Sequence, residues 1–187
     1  EFAGWLAREI KAISEGGTQV VIMVGGGNFV RGAQVVGHGI KRVTGDHMGM
    51  LGTMINALAL TDIFEAQGVK TRCLSNIFAD QVAEKFVHRL ANKHLEKGRV
   101  VIFGAGAGMP YFTTDTVSAQ RALEVGAEAL LLAKSGVDGV YSADPKKDSK
   151  AVKYESISYD EVLTKSLAVA DAAAFALCRE NKLPIIV

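Results

Sequence analysis

A chain of 187 residues with 49% hydrophobic and 22% charged side chains has an ordinary globular composition, which argues against a disordered or fibrous protein. A net charge of +1 gives no electrostatic footprint for nucleic acid. No apolar run approaches the ~18 residues that span a bilayer, and Cys73 and Cys178 are two isolated thiols, so a soluble, cytoplasmic protein with no membrane partner is expected.

Phe2, Leu6, Ile10 and Ile13 recur at helical spacing and predict an amphipathic helix, which Gly16 and Gly17 end. Residues 19–24, apolar without a break from Val20 onward, read as a buried parallel strand. A helix over 46–66 would turn Met50, Met54 and Leu58 inward. Strands are predicted over 70–74, 99–103 and 128–132, with helices over 81–95 and 116–125. Ser158 and Glu161 match a capping box that opens another helix. A helix over 172–180 then leads into a strand over 185–187. Strands alternating with helices predict an α/β fold, a three-layer αβα sandwich with a largely parallel central sheet. Ligands bind such sheets just beyond the carboxyl ends of the strands, so the loops there are the place to look for chemistry.

Four segments stand out. The first strand runs into Gly25, Gly26 and Gly27, followed by Asn28 and Arg31. Glycines leave main-chain N–H groups open to a phosphate, and Arg31 adds a planar charged fork. The alternative is a tight turn with a surface arginine. Neither a dinucleotide fingerprint nor a P-loop is present. After the strand ending at Phe103 comes a second glycine-rich loop, with Gly104, Gly106 and Gly108, then Thr113, Thr114 and Asp115 at a helix start. Hydroxyls and amides there can hold an anion, or Thr114 or Asp115 can simply cap the helix. Two such loops suit two phosphate-bearing ligands. The third segment, 137–145, offers Tyr141 for stacking and Asp144 before Pro145; a plain surface turn is its alternative. Asp171, the fourth, reads unaided as a helix cap. His38, His47, His88 and His94 lack ligand spacing, so no protein-built metal site is expected.

Taken in order, Gly-Gly-Gly-Asn-x-x-Arg-Gly from Gly25, the stretch from Arg42 to Leu51 with Asp46, the run from Tyr111 to Asp115, the two motifs around Tyr141 and Asp144, and Leu183-Pro184-Ile185 resemble the bacterial UMP kinases of the amino-acid-kinase fold. The resemblance covers residues 1–187 and implies transfer of the γ-phosphoryl group of ATP to UMP, with Mg²⁺, in pyrimidine nucleotide synthesis. It implies UMP against Gly26, Asp46 and the run Ala107, Gly108, Met109, Pro110, Tyr111, Phe112, Thr113 and Thr114. It implies ATP against Gly27, Arg31, Ser135, Tyr141 and Asp144. Arg31 and Asp171 would act on the transferred phosphoryl, and Asp46 would accept from ribose hydroxyls. A homohexamer with GTP and UTP as effectors is likewise implied. The family begins with a strand carrying Lys-x-Ser-Gly and closes with a C-terminal strand; neither is in this sequence, so a single trimmed domain is the expectation. Met109 stands where many relatives have Asn, so base selection is expected from main-chain groups.

UMP's phosphate has a second pKa of ~6, so the nucleophile is already ionised at neutral pH and no general base is obligatory. The rival readings are an amino-acid kinase that makes an acyl phosphate and a non-catalytic binder on the same fold.

Overall fold

The computed structural model describes residues 1–31, 39–134, 136–167 and 169–187. Ser135, Gly32 and His38 therefore lie outside the described residues. The chain divides into two units, Glu1–Thr114 and Asp115–Val187.

In the first unit the opening apolar stripe forms helix α1 (Phe2–Glu15), which buries Ala7, with Leu6 and Ile10 against the same core. Strand β1 (Val21–Met23) follows, then helix α2 (Arg42–Ala66), strand β2 (Thr71–Ser75), the short strand β3 (Glu84–Lys85), helix α3 (His88–Glu96) and strand β4 (Val100–Gly104). The four strands make one parallel sheet in the order β1-β4-β2-β3. Every residue of β4 is buried, which is why its sequence reads as an unbroken apolar run. Val100 and Ile102 join the cluster of Met54, Ala57, Phe64 and Cys73 under α1 and α2. Successive strand residues point to opposite faces. Phe103 accordingly meets Phe86 edge-on across the sheet, ring centroids 5.1 Å apart, on the side where α3 buries Ala91 and Leu95. Helices thus cover both faces of this sheet. Burying Phe64 completely contributes ~1.5–3 kcal/mol.

Two boundaries differ from the sequence reading. The helix expected over 81–95 starts only at His88, because Glu84 and Lys85 pair with Leu74 and Ser75 and Phe86 N–H donates to Ser75 O at 2.8 Å. The ladder with β2 overrides local helix preference there. Helix α2 begins at Arg42 rather than at Asp46, so Asp46 sits one turn inside the helix and not at its first position.

The second unit contains helix α4 (Thr114–Val125, whose first residue closes the first unit), strands β5 (Leu130–Leu131), β6 (Val140–Tyr141) and β7 (Lys153–Tyr154), helices α5 (Tyr159–Thr164) and α6 (Ala172–Glu180), and strand β8 (Ile185–Ile186). Strands β5 and β8 pair in parallel, while β6 and β7 form an antiparallel ribbon that the sequence reading did not contain. Ala119, Ala122, Ala174, Cys178 and Leu183 form the core of this unit. The capping box is present: Ser158 Oγ accepts from Glu161 N–H at 3.2 Å. No helix among the described residues is long and apolar enough to cross a membrane.

Candidate functional site

The glycines after β1 have separable reasons. Gly26 is buried against α2: a Cβ there would stand 2.5 Å from Gly49 O and 2.8 Å from Thr53 N, so nothing larger than glycine fits. Close packing therefore accounts for one glycine that the sequence reading assigned to phosphate approach. Asn56 on α2 fastens the same loop, with Nδ2 donating to Gly25 O at 2.7 Å and its amide exchanging bonds with that of Asn28 at 2.8 and 3.2 Å. Phe29 and Val30 N–H both donate to Gly26 O, at 3.0 and 3.1 Å. Gly27 is exposed, with the Arg31 side chain folded over it, and Arg31 makes no ion pair with any described residue. An exposed glycine beside an arginine is a place where an anion can reach the main chain.

The loop after β4 docks on the same stretch of α2. Ala105 N–H donates to Thr53 Oγ1 at 2.7 Å, and Thr53 in turn donates to Met50 O at 2.7 Å. Ala105 and Tyr111 adopt the left-handed region at φ 62° and 69°, which residues with a Cβ visit rarely. Gly108, at φ 72°, approaches Asn76 so closely that a Cβ would lie 2.5 Å from Asn76 O. Asn76, just past the end of β2, donates from Nδ2 to Gly106 O. Met109, Tyr111 and Phe112 are exposed.

Asp46 is the link between helix and loop. Its Oδ2 accepts from Tyr111 N–H at 2.9 Å, and Arg42 Nε donates to Oδ1 at 2.8 Å and to Oδ2 at 3.0 Å. The Arg42 guanidinium lies 5.4 Å from the Tyr111 ring centroid. Gly26, Asp46 and the loop 104–113 are thus brought together around one side of α2, at the carboxyl ends of β1, β2 and β4, where an α/β sheet places its ligands. Arg42, Thr53, Asn56 and Asn76 are the residues that sequence reasoning missed here. Only Arg42 left a signal, its i,i+4 spacing from Asp46.

In the second unit Tyr141 and Asp144 line one cavity of about 630 Å³, together with Lys134, Lys146 and Lys165. Asp144 orders its own turn, accepting from Lys146 N–H at 3.0 Å. Tyr141 is held by its hydroxyl, which donates to Asp138 Oδ1 at 2.7 Å, while Lys153 Nζ donates to Oδ2 at 2.9 Å. Lys153, then Tyr141, hold the Asp138 carboxyl down at about 2. Lys134 and Lys165 are paired with Asp115 and Glu161, so Lys146 is the lining lysine that makes no ion pair with a described residue and can meet an anion, and the volume lies in the range of small-molecule pockets. Asp171 is the cap of α6 that its sequence suggested: Oδ1 accepts from Ala174 N–H at 2.8 Å, and Thr116 Oγ1 donates to both oxygens at 2.8 Å. Asp115, in the first turn of α4, pairs with Lys134 at 2.7 Å.

A larger cavity of about 690 Å³ in the first unit holds none of the expected residues. Asp62, Glu65, Asp80 and Glu84 line it with Arg72, a negative balance that repels a nucleotide's phosphates. Cys73 at its wall is pushed up to about 11, chiefly by burial, and is an unreactive thiol. Among the described residues no group of three or more His, Cys, Asp or Glu could hold a metal.

The pattern of the amino acid kinase family matches residues 5–187. The chain is 56% identical to the uridylate kinase of Streptomyces avermitilis over 182 residues, 97% of this chain and 72% of that one. It is 57% identical to the uridylate kinase of Cutibacterium acnes over 96% of this chain and 76% of that one. The crystal structure of UMP kinase from Bacillus anthracis superposes with a TM-score of 0.94 at 40% identity, over 98% of this chain and 75% of that one. The structure of UMP kinase from Ureaplasma parvum gives 0.93 at 41% identity, over 98% and 79%.

Proposed function

The chain belongs to the amino acid kinase family, and we propose that it transfers the γ-phosphoryl group of ATP to UMP, giving UDP and ADP. The observation that carries this reading is the docking of two glycine loops, from the parallel neighbours β1 and β4, on the same turns of α2 through Gly26, Thr53 and Asn56. A binder of one phosphate needs one such loop; a reaction with two phosphate-bearing partners uses two.

In this proposal UMP is held by Gly26, Asp46 and residues 107–114, and ATP by Gly27, Arg31, Ser135, Tyr141 and Asp144. Asp46 enters the reaction already holding Arg42 and Tyr111, so its ribose contacts use the acceptor positions those two leave. Pyrimidine selection falls to main-chain groups of the loop 106–110, since the Met109 thioether accepts only weakly. The nucleophile is a phosphate oxygen already ionised at neutral pH, so this chain's residues align and neutralise rather than abstract a proton. Arg31, free of ion pairs with described residues, supplies positive charge to the transferring phosphoryl group.

Mg²⁺ fits this residue set as an ion brought in by the nucleotide. Such an ion needs only one or two carboxylates besides phosphate and water, and the described residues form no all-protein cage. We assign Asp171 toward it, through the carboxylate that Thr116 and the start of α6 keep in one orientation. When bound, Mg²⁺ neutralises charge on the phosphoryl oxygens. A homohexamer, GTP and UTP as effectors, and a cytoplasmic location are part of the same proposal, carried by the family resemblance; sedimentation with and without each nucleotide tests the assembly.

A coupled assay of ADP release with UMP, CMP, carbamate and acetylglutamate as acceptors tests the function. Turnover with UMP at least ~100-fold above the others is expected, since a site built to hydrogen-bond its substrate rejects analogues that leave its groups unpaired. Preference for carbamate or acetylglutamate would move the chain to the acyl-phosphate branch. No turnover with any acceptor, despite nucleotide binding, would make it a binder.

A further inference from the structure

We infer that Arg42 is a positioning residue for the acceptor nucleotide, fixing Asp46 and Tyr111 together before the acceptor arrives. The inference rests on the reading of Asp46 as a ribose-binding group.

Arg42 and Asp46 are four residues apart on α2, so their side chains share a face. On an open surface such a pair contributes little. This one differs in three ways. The Asp46 side chain is only 14% exposed, while that of Arg42 is 45% exposed, so the carboxylate is sheltered and the guanidinium covers it from the solvent side. The same carboxylate accepts from Tyr111 N–H at 2.9 Å, a bond spanning 65 residues that ties the loop after β4 to α2. The guanidinium also touches the other member of that bond, lying 5.4 Å from the Tyr111 ring centroid. Arg42 therefore contacts both ends of the helix-to-loop link.

The link has strain to hold. Tyr111 sits at φ 69°, where a residue with a Cβ stays only if its surroundings require it. Two contacts supply that requirement: the Asp46 carboxylate on its amide and the Arg42 cation on its ring. Acceptor counting gives Asp46 its ligand role. An ionised carboxylate offers about four acceptor positions. Arg42 and Tyr111 occupy three, one on Oδ1 and two on Oδ2. Oδ1 keeps a free position on an oxygen whose rotation Arg42 has already stopped. Without Arg42 the carboxylate would keep only the Tyr111 amide, and both the rotamer and the left-handed Tyr111 would relax. Lysine is no substitute, because a single ammonium cannot donate side-on to the carboxylate and stack on the ring at once.

The test is steady-state kinetics on the protein and its Arg42→Ala, Arg42→Lys, Asp46→Asn and Arg42→Ala/Asp46→Asn variants, varying UMP and ATP separately. Arg42→Ala is expected to raise the KM for UMP about tenfold, the scale of one charge-assisted hydrogen bond, with the KM for ATP and kcat within about twofold. Arg42→Lys recovers only part of the loss. In the Asp46→Asn background Arg42→Ala adds less than about twofold, the non-additivity expected of groups acting through one another. Thermal unfolding of Arg42→Ala stays near that of the parent, which a merely structural arginine would not allow together with the KM change. Full additivity of the two substitutions, or an equal rise in both KM values, overturns the inference while leaving Asp46 in place. An Asp46→Asn variant with an unchanged KM for UMP removes the ribose reading and this inference with it.

Discussion

Replacing Gly26 and Gly27 by alanine, one at a time, should produce two different failures. On Gly26 a Cβ would stand 2.5 Å from Gly49 O and 2.8 Å from Thr53 N, both main-chain atoms of α2 that no rotamer change can move. The loop must retreat by about 1 Å to restore ordinary contact. Overpacking of this kind costs ~1–3 kcal/mol. The retreat also stretches the Asn56-to-Gly25 bond of 2.7 Å, a further loss of ~1 kcal/mol. A fall in Tm of roughly 5–15 °C follows for a chain of this size. On Gly27 the new methyl would meet only Arg31, Nε at 3.3 Å and Cγ at 3.7 Å, and that side chain can swing away. Gly27→Ala should leave Tm within about 2 °C, an effect of less than ~1 kcal/mol, and raise the KM for ATP about tenfold, ~1.4 kcal/mol. Differential scanning calorimetry and steady-state kinetics on both variants decide it. Equal losses of Tm, or a Gly26→Ala variant that melts like the parent, would refute the claim that packing against α2 requires glycine at 26 and not at 27.

Asp144→Ala should raise the KM for ATP and spare that for UMP, because Asp144 orders the turn carrying Lys146 along the cavity of the second unit; a loss confined to UMP in steady-state kinetics would contradict this. Met109→Ala should leave the UMP-to-CMP ratio of kcat/KM within about tenfold, ~1.4 kcal/mol, and a collapse of that ratio would assign base selection to the side chain. Lys153 and Tyr141 depress the Asp138 carboxyl to about 2, so its contribution to the β6–β7 ribbon is present above the ordinary carboxylate range near ~4 and is lost as pH falls through about 2. Carboxyl-carbon NMR should place its midpoint well below the ordinary carboxylate value of ~4, and a midpoint near ~4 would show that the pair does not persist in solution.

What was legible in the sequence was whatever depended on near neighbours or on uniform burial. The all-buried β4 and the Leu6 and Ile10 part of the stripe on α1 announced themselves by pattern, although Phe2 and Ile13 of the same stripe are exposed, and Ser158 and Asp171 capped the helices their types predicted. The stretch 81–87 was misread because its partner, β2, lies about ten residues away and no local propensity reports a ladder. The β6–β7 ribbon escaped for the same reason, its pairs being 14 and 12 residues apart. In the candidate site, three successive glycines looked alike on paper, and only the approach of α2 separates Gly26 from Gly27. Asp46 was picked out, but Tyr111, which occupies part of its carboxylate, is 65 residues distant. A sequence can nominate a carboxylate; its partners come from the fold.

The most direct test of the account is ³¹P NMR of the protein incubated with ATP, Mg²⁺ and UMP. The account predicts that UDP and ADP appear together in equal amounts as UMP is consumed, with no inorganic phosphate. Release of inorganic phosphate with UMP untouched, or a phosphorus spectrum unchanged by the protein, would contradict it.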